Sequence, residues 1–193
     1  MTNQHDNKWH IKEKQKVIFN TPIFNVAVQE MVCPRTQKNG SFYLLEFGDW
    51  VNVTALTTDN QFVMIRQFRA GTQKVENEIP GGLIDKEDIS PVEAGIRELF
   101  EETGYRGENA KIIGVVHPNP AIQWNKCYTI LVENAIKISE PEMEESEDIE
   151  TILVPLKEIS QMVSRGEITH GLVLNALFFL DKYLTLQTVH NLQ

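Results

Sequence analysis

The segment from Ser90 to Gly104 constrains this chain more than any other, because it carries both ends of a helix and a patterned middle. Ser90 suits an N-cap, Pro91 the first helical position, and Glu93 closes a capping box. Gly104 stands where a helix ends in a left-handed residue. With a helix over Ser90–Thr103, Glu98, Glu101 and Glu102 fall at i, i+3 and i+4 and share one face within a turn. Val92, Ile96 and Leu99 fall opposite and are expected to bury that side against a sheet. Ala94 and Gly95 are small and Arg97 lies to one side, so no cation interleaves the three carboxylates. Such a face is either simply solvated or filled by something positive, and hard oxygens on a rigid support suit Mg²⁺ or Mn²⁺. Just upstream, Glu78-Ile79-Pro80-Gly81-Gly82 lets main chain approach a ligand closely and can aim a carbonyl at a cation.

Around this helix the pattern alternates strands and helices. Lys16–Phe19, Phe24–Val32 and Phe42–Phe47 read as an N-terminal antiparallel unit, with a turn at Lys38-Asn39-Gly40. Trp50–Thr57 and Gln61–Gln67 form a hairpin across Thr58-Asp59-Asn60. Lys111–Val116, Cys127–Glu133 and Ile149–Val154 read as strands, and Leu156–Val163 and Ile168–Leu184 as helices. In the last helix Leu172, Leu177, Leu180 and Leu184 are expected to form the core face. The order predicts an α/β fold, a single α/β/α sandwich over residues 1–193 with no linker dividing it.

Composition removes other classes. Hydrophobic residues make up 41% and charged residues 23%, which argues against disorder. With 18 Lys and Arg against 27 Asp and Glu, the formal charge of −9 disfavours extended DNA or RNA binding. Cys33 and Cys127 are too few for a disulfide scaffold and lack the neighbours of a zinc site, so a reducing cytoplasm is expected. Met1–His10 has no apolar export region and Leu172–Leu180 is too short to span a bilayer, so no membrane attachment is expected. Glu140–Glu150 is strongly acidic, either a solvated loop or a segment that handles cations.

Gly82 to Tyr105, GLIDKEDISPVEAGIRELFEETGY, resembles the box of the Nudix hydrolases, G-x5-E-x7-R-E-U-x-E-E-x-G-U. Arg97-Glu98-Leu99-Phe100-Glu101-Glu102-Thr103-Gly104 matches the box core without a gap. One residue is inserted between Gly82 and Arg97, so the isolated first Glu of the pattern falls on Glu87 or Asp88. Tyr105 replaces the usual aliphatic residue and is expected to pack at the helix terminus.

The resemblance implies a Nudix α/β/α sandwich with a mixed sheet and a Mg²⁺-dependent hydrolase, Mn²⁺ being the alternative ion. It implies Glu98 and Glu102 as principal metal ligands and Glu101 as a further ligand or water-orienting group. The Gly81 carbonyl would be a main-chain metal contact, and Arg97 would hold the carboxylates or touch phosphate.

Val63-Met64-Ile65-Arg66-Gln67-Phe68-Arg69 followed by Glu78-Ile79-Pro80-Gly81-Gly82 resembles the ADP-ribose pyrophosphatase branch. Arg66 and Arg69 would face opposite ways on a strand, one toward substrate phosphate and one in a structural ion pair, with spacing leaving open which. Both, together with Glu78, are candidate substrate-binding residues. Trp50 and Trp124 are candidates for stacking on a base, with structural packing the alternative. Glu145 in the acidic segment resembles a loop glutamate that activates the attacking water, with Glu144 and Glu147 as interchangeable neighbours.

The branch further implies that residues 14–55 form an arm of a homodimer. The expected activity is hydrolysis of ADP-ribose or a related nucleoside diphosphate sugar to a nucleoside monophosphate and a sugar phosphate. GDP-mannose, FAD or NADH as substrate, or a non-catalytic ADP-ribose sensor, are the alternatives.

Overall fold

The computed structural model describes residues 9–143 and 148–190. By contact density the chain groups into two compact units, one of residues up to Gly48 with His117–Asn125, the other of Asp49–Val116 with Lys126 onward.

The first unit holds β1 (His10–Ile11), β2 (Lys16–Asn20), β3 (Asn25–Val32) and β4 (Asn39–Glu46). All pairings are antiparallel, with β3 central, β4 along one side and β1 and β2 sharing the other. Thr21 closes the β2–β3 turn, its hydroxyl donating to the Phe24 carbonyl at 2.6 Å. The expected N-terminal antiparallel sheet is present, and the strand beginning at Trp50 belongs to the other unit.

The second unit holds β5 (Trp50–Thr57), β6 (Gln61–Arg69), β7 (Lys74–Glu78), β8 (Gly81–Leu83), β9 (Tyr105–Val116), β10 (Cys127–Lys137) and β11 (Ile149–Pro155). Its helices are α1 (Pro91–Thr103), α2 (Leu156–Ser164) and α3 (Gly171–His190). The sheet is mixed: β10 runs parallel to β5, and the other pairings are antiparallel. Period-two alternation places its two faces in two cores. Val51, Val53, Ala55, Val63, Ile130 and Val132 meet Ala94 and Leu99 of α1 on one face. Leu56, Phe62, Met64 and Leu131 meet Ile159, Met162, Val173, Ala176 and Leu180 of α2 and α3 on the other. This is the expected α/β/α layering, and no helix among the described residues is long and apolar enough to cross a membrane.

Two helix faces differ from expectation. On α1 the buried residues are Ala94, Gly95, Leu99, Glu102 and Thr103, whereas Ile96 is exposed. Leu99 is buried and Val92 packs beside it as expected, and where Ile96 turns away the small residues let the helix settle on the sheet: a Cβ on Gly95 would come within 2.8 Å of Ile130. On α3 the buried stripe is Val173, Ala176 and Leu180, with Leu177 and Leu184 packed beside it and Leu172 outside it. That helix begins at Gly171, so Ile168 is buried in the segment before it.

Candidate functional site

The sheet of the second unit forks, and the fork sets the site. β5 and β6 pair at Ala55–Val63 and Leu56–Phe62. Farther along, β8 pairs with β5 from Trp50 to Asn52, while β7 pairs with β6 from Ile65 to Arg69. Glu78 ends β7 and Gly81 opens β8, and the two-residue connection between them, Ile79 and Pro80, is anchored by the Val53 amide donating to the Pro80 carbonyl at 2.8 Å.

Gly81 is required by space against backbone, and Gly82 lets the Glu98 carboxylate lie close. A Cβ on Gly81 would lie 2.2 Å from the Val51 carbonyl oxygen, and one on Gly82 would lie 2.5 Å from the Glu98 carboxylate. The Gly81 amide donates to Glu102 Oε2 at 2.9 Å, which ties the glycine turn to the inner side of α1. Glu102 is only 5% exposed.

α1 is set as its caps dictate. Ser90 Oγ accepts from the Glu93 amide at 3.2 Å, and Gly104 has φ +72°. The Glu93 carboxylate accepts from the Ile89 amide at 3.1 Å, one residue before the partner that a capping box uses.

One cation serves most of the acidic face. Arg97 donates through Nε and Nη2 to Asp88 at 3.2 and 2.9 Å, and through Nη1 to Glu98 at 3.0 Å and Glu101 at 2.9 Å. Its Nη2 also donates to the Leu83 carbonyl at 3.0 Å and stands 3.4 Å from Asp85. Hydrogen bonding to Asp88 raises the Arg97 pKa above its ordinary value, and the same bonds hold the Asp88 carboxyl below its usual range. Of the two candidates for the first box carboxylate, Asp88 is the one that meets Arg97.

Glu98 behaves differently. Burial, opposed by Arg97 and reinforced by Glu101 and Asp85, pushes its carboxyl up to about 7. A carboxyl so held binds either a proton or another cation near neutrality. Among the described residues no three acidic, His or Cys side chains are already gathered around a single metal position. The donor set is nonetheless hard oxygen on a rigid helix, with under-neutralised charge at Glu98, and it fits a divalent ion in its chemistry.

A second arginine centre lies within reach of the Glu102 charge. Arg69 on β6 donates from Nε and Nη2 to the two oxygens of Glu78 at 2.7 and 2.8 Å, and Glu78 is 3% exposed. Glu78, then Glu102, raise the Arg69 pKa. Arg66, on the opposite face of the strand, pairs at 3.1 Å with Glu150 of β11. Trp50 begins β5, and Trp124 lies in the other unit, 45% exposed. Glu145 lies outside the described residues. Asp85 escaped the sequence argument, although the Asp85-Lys86-Glu87-Asp88 run carried the signal.

Comparison with known proteins agrees with this geometry. The chain is 26% identical over 171 residues to an ADP-ribose pyrophosphatase of Bacillus subtilis (strain 168), covering 88% of this chain and 91% of that one. It is 35% identical over 95 residues to a methanol dehydrogenase activator of Bacillus methanolicus, covering 49% of this chain and half of the relative's length. In fold it matches the crystal structure of an ADP compounds hydrolase with a TM-score of 0.81 at 20% identity, covering 93% and 96% of the two chains. The NUDIX domain model matches residues 48–176, the span that contains the forked sheet, the glycine turn and the acidic helix, and the chain belongs to the Nudix hydrolase family.

Proposed function

We propose that this chain is a divalent-metal-dependent pyrophosphatase that hydrolyses ADP-ribose or a related nucleoside diphosphate sugar to a nucleoside monophosphate and a sugar phosphate. The observation that carries the proposal is the excess of carboxylates over cations at the glycine turn. Asp85, Asp88, Glu98 and Glu101 share Arg97, and burial, with Glu101 and Asp85 adding to it, pushes the Glu98 carboxyl up to about 7 against the pull of Arg97. The resemblance to the Bacillus subtilis ADP-ribose pyrophosphatase over most of both chains supports the substrate class.

Glu98 and Glu102, with Glu101 and the Gly81 carbonyl, are the groups that would hold the metal. A bound divalent ion supplies charge neutralisation of the diphosphate and a lowered pKa for water. Arg97 keeps Glu98 and Glu101 in register from the side of Asp88. Glu78 fixes the Arg69 guanidinium by two parallel bonds, and of Arg69 and Arg66, which face opposite ways on β6, one would present donors to substrate phosphate while the other keeps a structural ion pair. Glu145 is assigned to take the proton from the attacking water, and either Trp50 or Trp124 to stack on the base.

The N-terminal strands, where Val17, Ile18 and Phe19 are exposed, are assigned to a homodimer contact. Free Cys33 and Cys127 accord with a reducing cytoplasm.

The test is turnover of ADP-ribose, GDP-mannose, FAD and NADH with Mg²⁺ or Mn²⁺ and with chelator. Metal-dependent release of AMP from ADP-ribose is expected. ADP-ribose bound tightly but left intact with either metal would favour a sensor instead.

A further inference from the structure

We infer that Asp85 and Asp88 act together as a brace on Arg97 that takes up the extra residue between Gly82 and Arg97, so that both are positioning residues for the metal ligands. The assignment rests on the metal-dependent hydrolysis proposed above. Fourteen residues separate Gly82 from Arg97, one more than the pattern G-x5-E-x7-R holds. Counted forward from Gly82, the carboxylate of the pattern falls at Asp88; counted back from Arg97, it falls at Ile89, which is 87% exposed and carries no charge. Asp88 therefore stands one residue farther from Arg97 than the glutamate of the pattern, with a side chain one methylene shorter. Only the backbone can close that gap.

A closed turn does so. The Asp88 amide donates to the Asp85 carbonyl at 3.2 Å, the bond of a β-turn with Lys86 and Glu87 at its tip. The Asp85 amide donates in return to Asp88 Oδ2 at 2.8 Å. Directly afterwards the Ile89 amide is held by Glu93 and Ser90 caps α1, so the turn abuts the helix. Asp88 is thereby seated with its side chain 7% exposed and both oxygens on Arg97, and Asp85 stands 3.4 Å from the same guanidinium.

A guanidinium has five N–H donors, and all five of Arg97 are in use. Nε and one Nη2 donor meet Asp88, the other Nη2 donor meets the Leu83 carbonyl, and the two Nη1 donors meet Glu98 and Glu101. The half of the group that faces the turn is held, and the other half fixes two carboxylates assigned to the metal. No donor is left for substrate phosphate, so the turn acts on the reaction through the placement of Glu98 and Glu101.

Calorimetric Mn²⁺ affinity and turnover of variants test the brace, with circular dichroism to confirm the fold. Asp88→Asn should lower kcat about thirtyfold and Mn²⁺ affinity about tenfold, with KM held within about twofold. Asp85→Asn keeps the main-chain bonds of the turn and removes only the charge beside Arg97, so both losses should be about threefold. Glu87→Gln, at the exposed tip, should match the wild type. Deletion of Asp88 combined with Ile89→Glu restores the spacing G-x5-E-x7-R, and should return Mn²⁺ affinity to within about threefold of the wild type, whereas the deletion alone should not. Wild-type Mn²⁺ affinity in Asp88→Asn, an equal loss in Glu87→Gln, or a folded restored-spacing variant that binds no better than the deletion would overturn the inference. A wild type that binds Mn²⁺ yet cleaves no nucleoside diphosphate sugar would remove the proposed activity alone, and the affinities would then decide the brace.

Discussion

Two arginines on the same unit show how charge matching separates support from chemistry. Arg69 hydrogen-bonds one buried carboxylate, Glu78, through two parallel bonds, with Glu102 acting on it only through space. Arg97 is shared among Asp85, Asp88, Glu98 and Glu101 within 3.4 Å, and its demands are met chiefly by Asp88. Where the numbers match, the pair fixes a strand; where carboxylates outnumber the cation, the surplus asks for another positive charge. Within that group burial acts most on Glu98, the carboxylate that sits against Gly82, and pushes it up to about 7.

The largest effect that would sharpen this contrast is on turnover. Glu102→Gln removes the carboxylate charge held against the Gly81 amide and should lower kcat by about a hundredfold or more with the fold retained, read by initial rates and circular dichroism. Wild-type-like turnover would break the site assignment.

Next comes stability without metal. Glu98 has its folded pKa raised to about 7, so the stability it contributes is present below about 4.5 and lost as pH rises through 7. In chelator, the melting temperature should therefore fall between pH 5 and pH 8 more steeply for the wild type than for Glu98→Gln. The difference corresponds to something on the order of 3 kcal/mol for this side chain, which is 14% exposed. Glu98→Gln should thus stabilise the metal-free protein at neutral pH while abolishing activity.

The matched pair should respond in the opposite sense. Glu78→Gln leaves the Arg69 guanidinium without its charged partner and should cost about 2 kcal/mol by denaturant unfolding. An equal stabilisation from Glu78→Gln and Glu98→Gln would erase the distinction between the two centres. Smallest of all, Arg66→Ala removes an ion pair whose partners are 47% and 63% exposed, and should change stability by less than about 0.5 kcal/mol. A rise in KM from the same variant would mark Arg66 as the arginine that meets phosphate.

The helix and its charged face were legible because their signals are local. Ser90, Pro91 and Gly104 act within one turn, and the box residues are contiguous. β7 and β8 were not legible, for β7 reads Lys-Val-Glu-Asn-Glu and β8 Gly-Gly-Leu, neither of which alternates as a half-buried strand does. Yet these two strands make the fork that positions the glycine turn. The inner face of α1 was misassigned for a related reason: hydrophobicity favoured Ile96, whereas close approach to Ile130 favoured Gly95. Arg69 and Arg66 looked equivalent in sequence, and only the burial of Glu78 separated them.

The central claim is that the surplus of carboxylates around Arg97 is a cation site, and calorimetric titration with Mn²⁺ tests it most directly. The wild type should bind saturably, with affinity falling about tenfold for each pH unit below about 7, and Glu98→Gln should bind at least about tenfold more weakly. Absence of saturable binding by the wild type, or equal affinity in Glu98→Gln, would contradict the account.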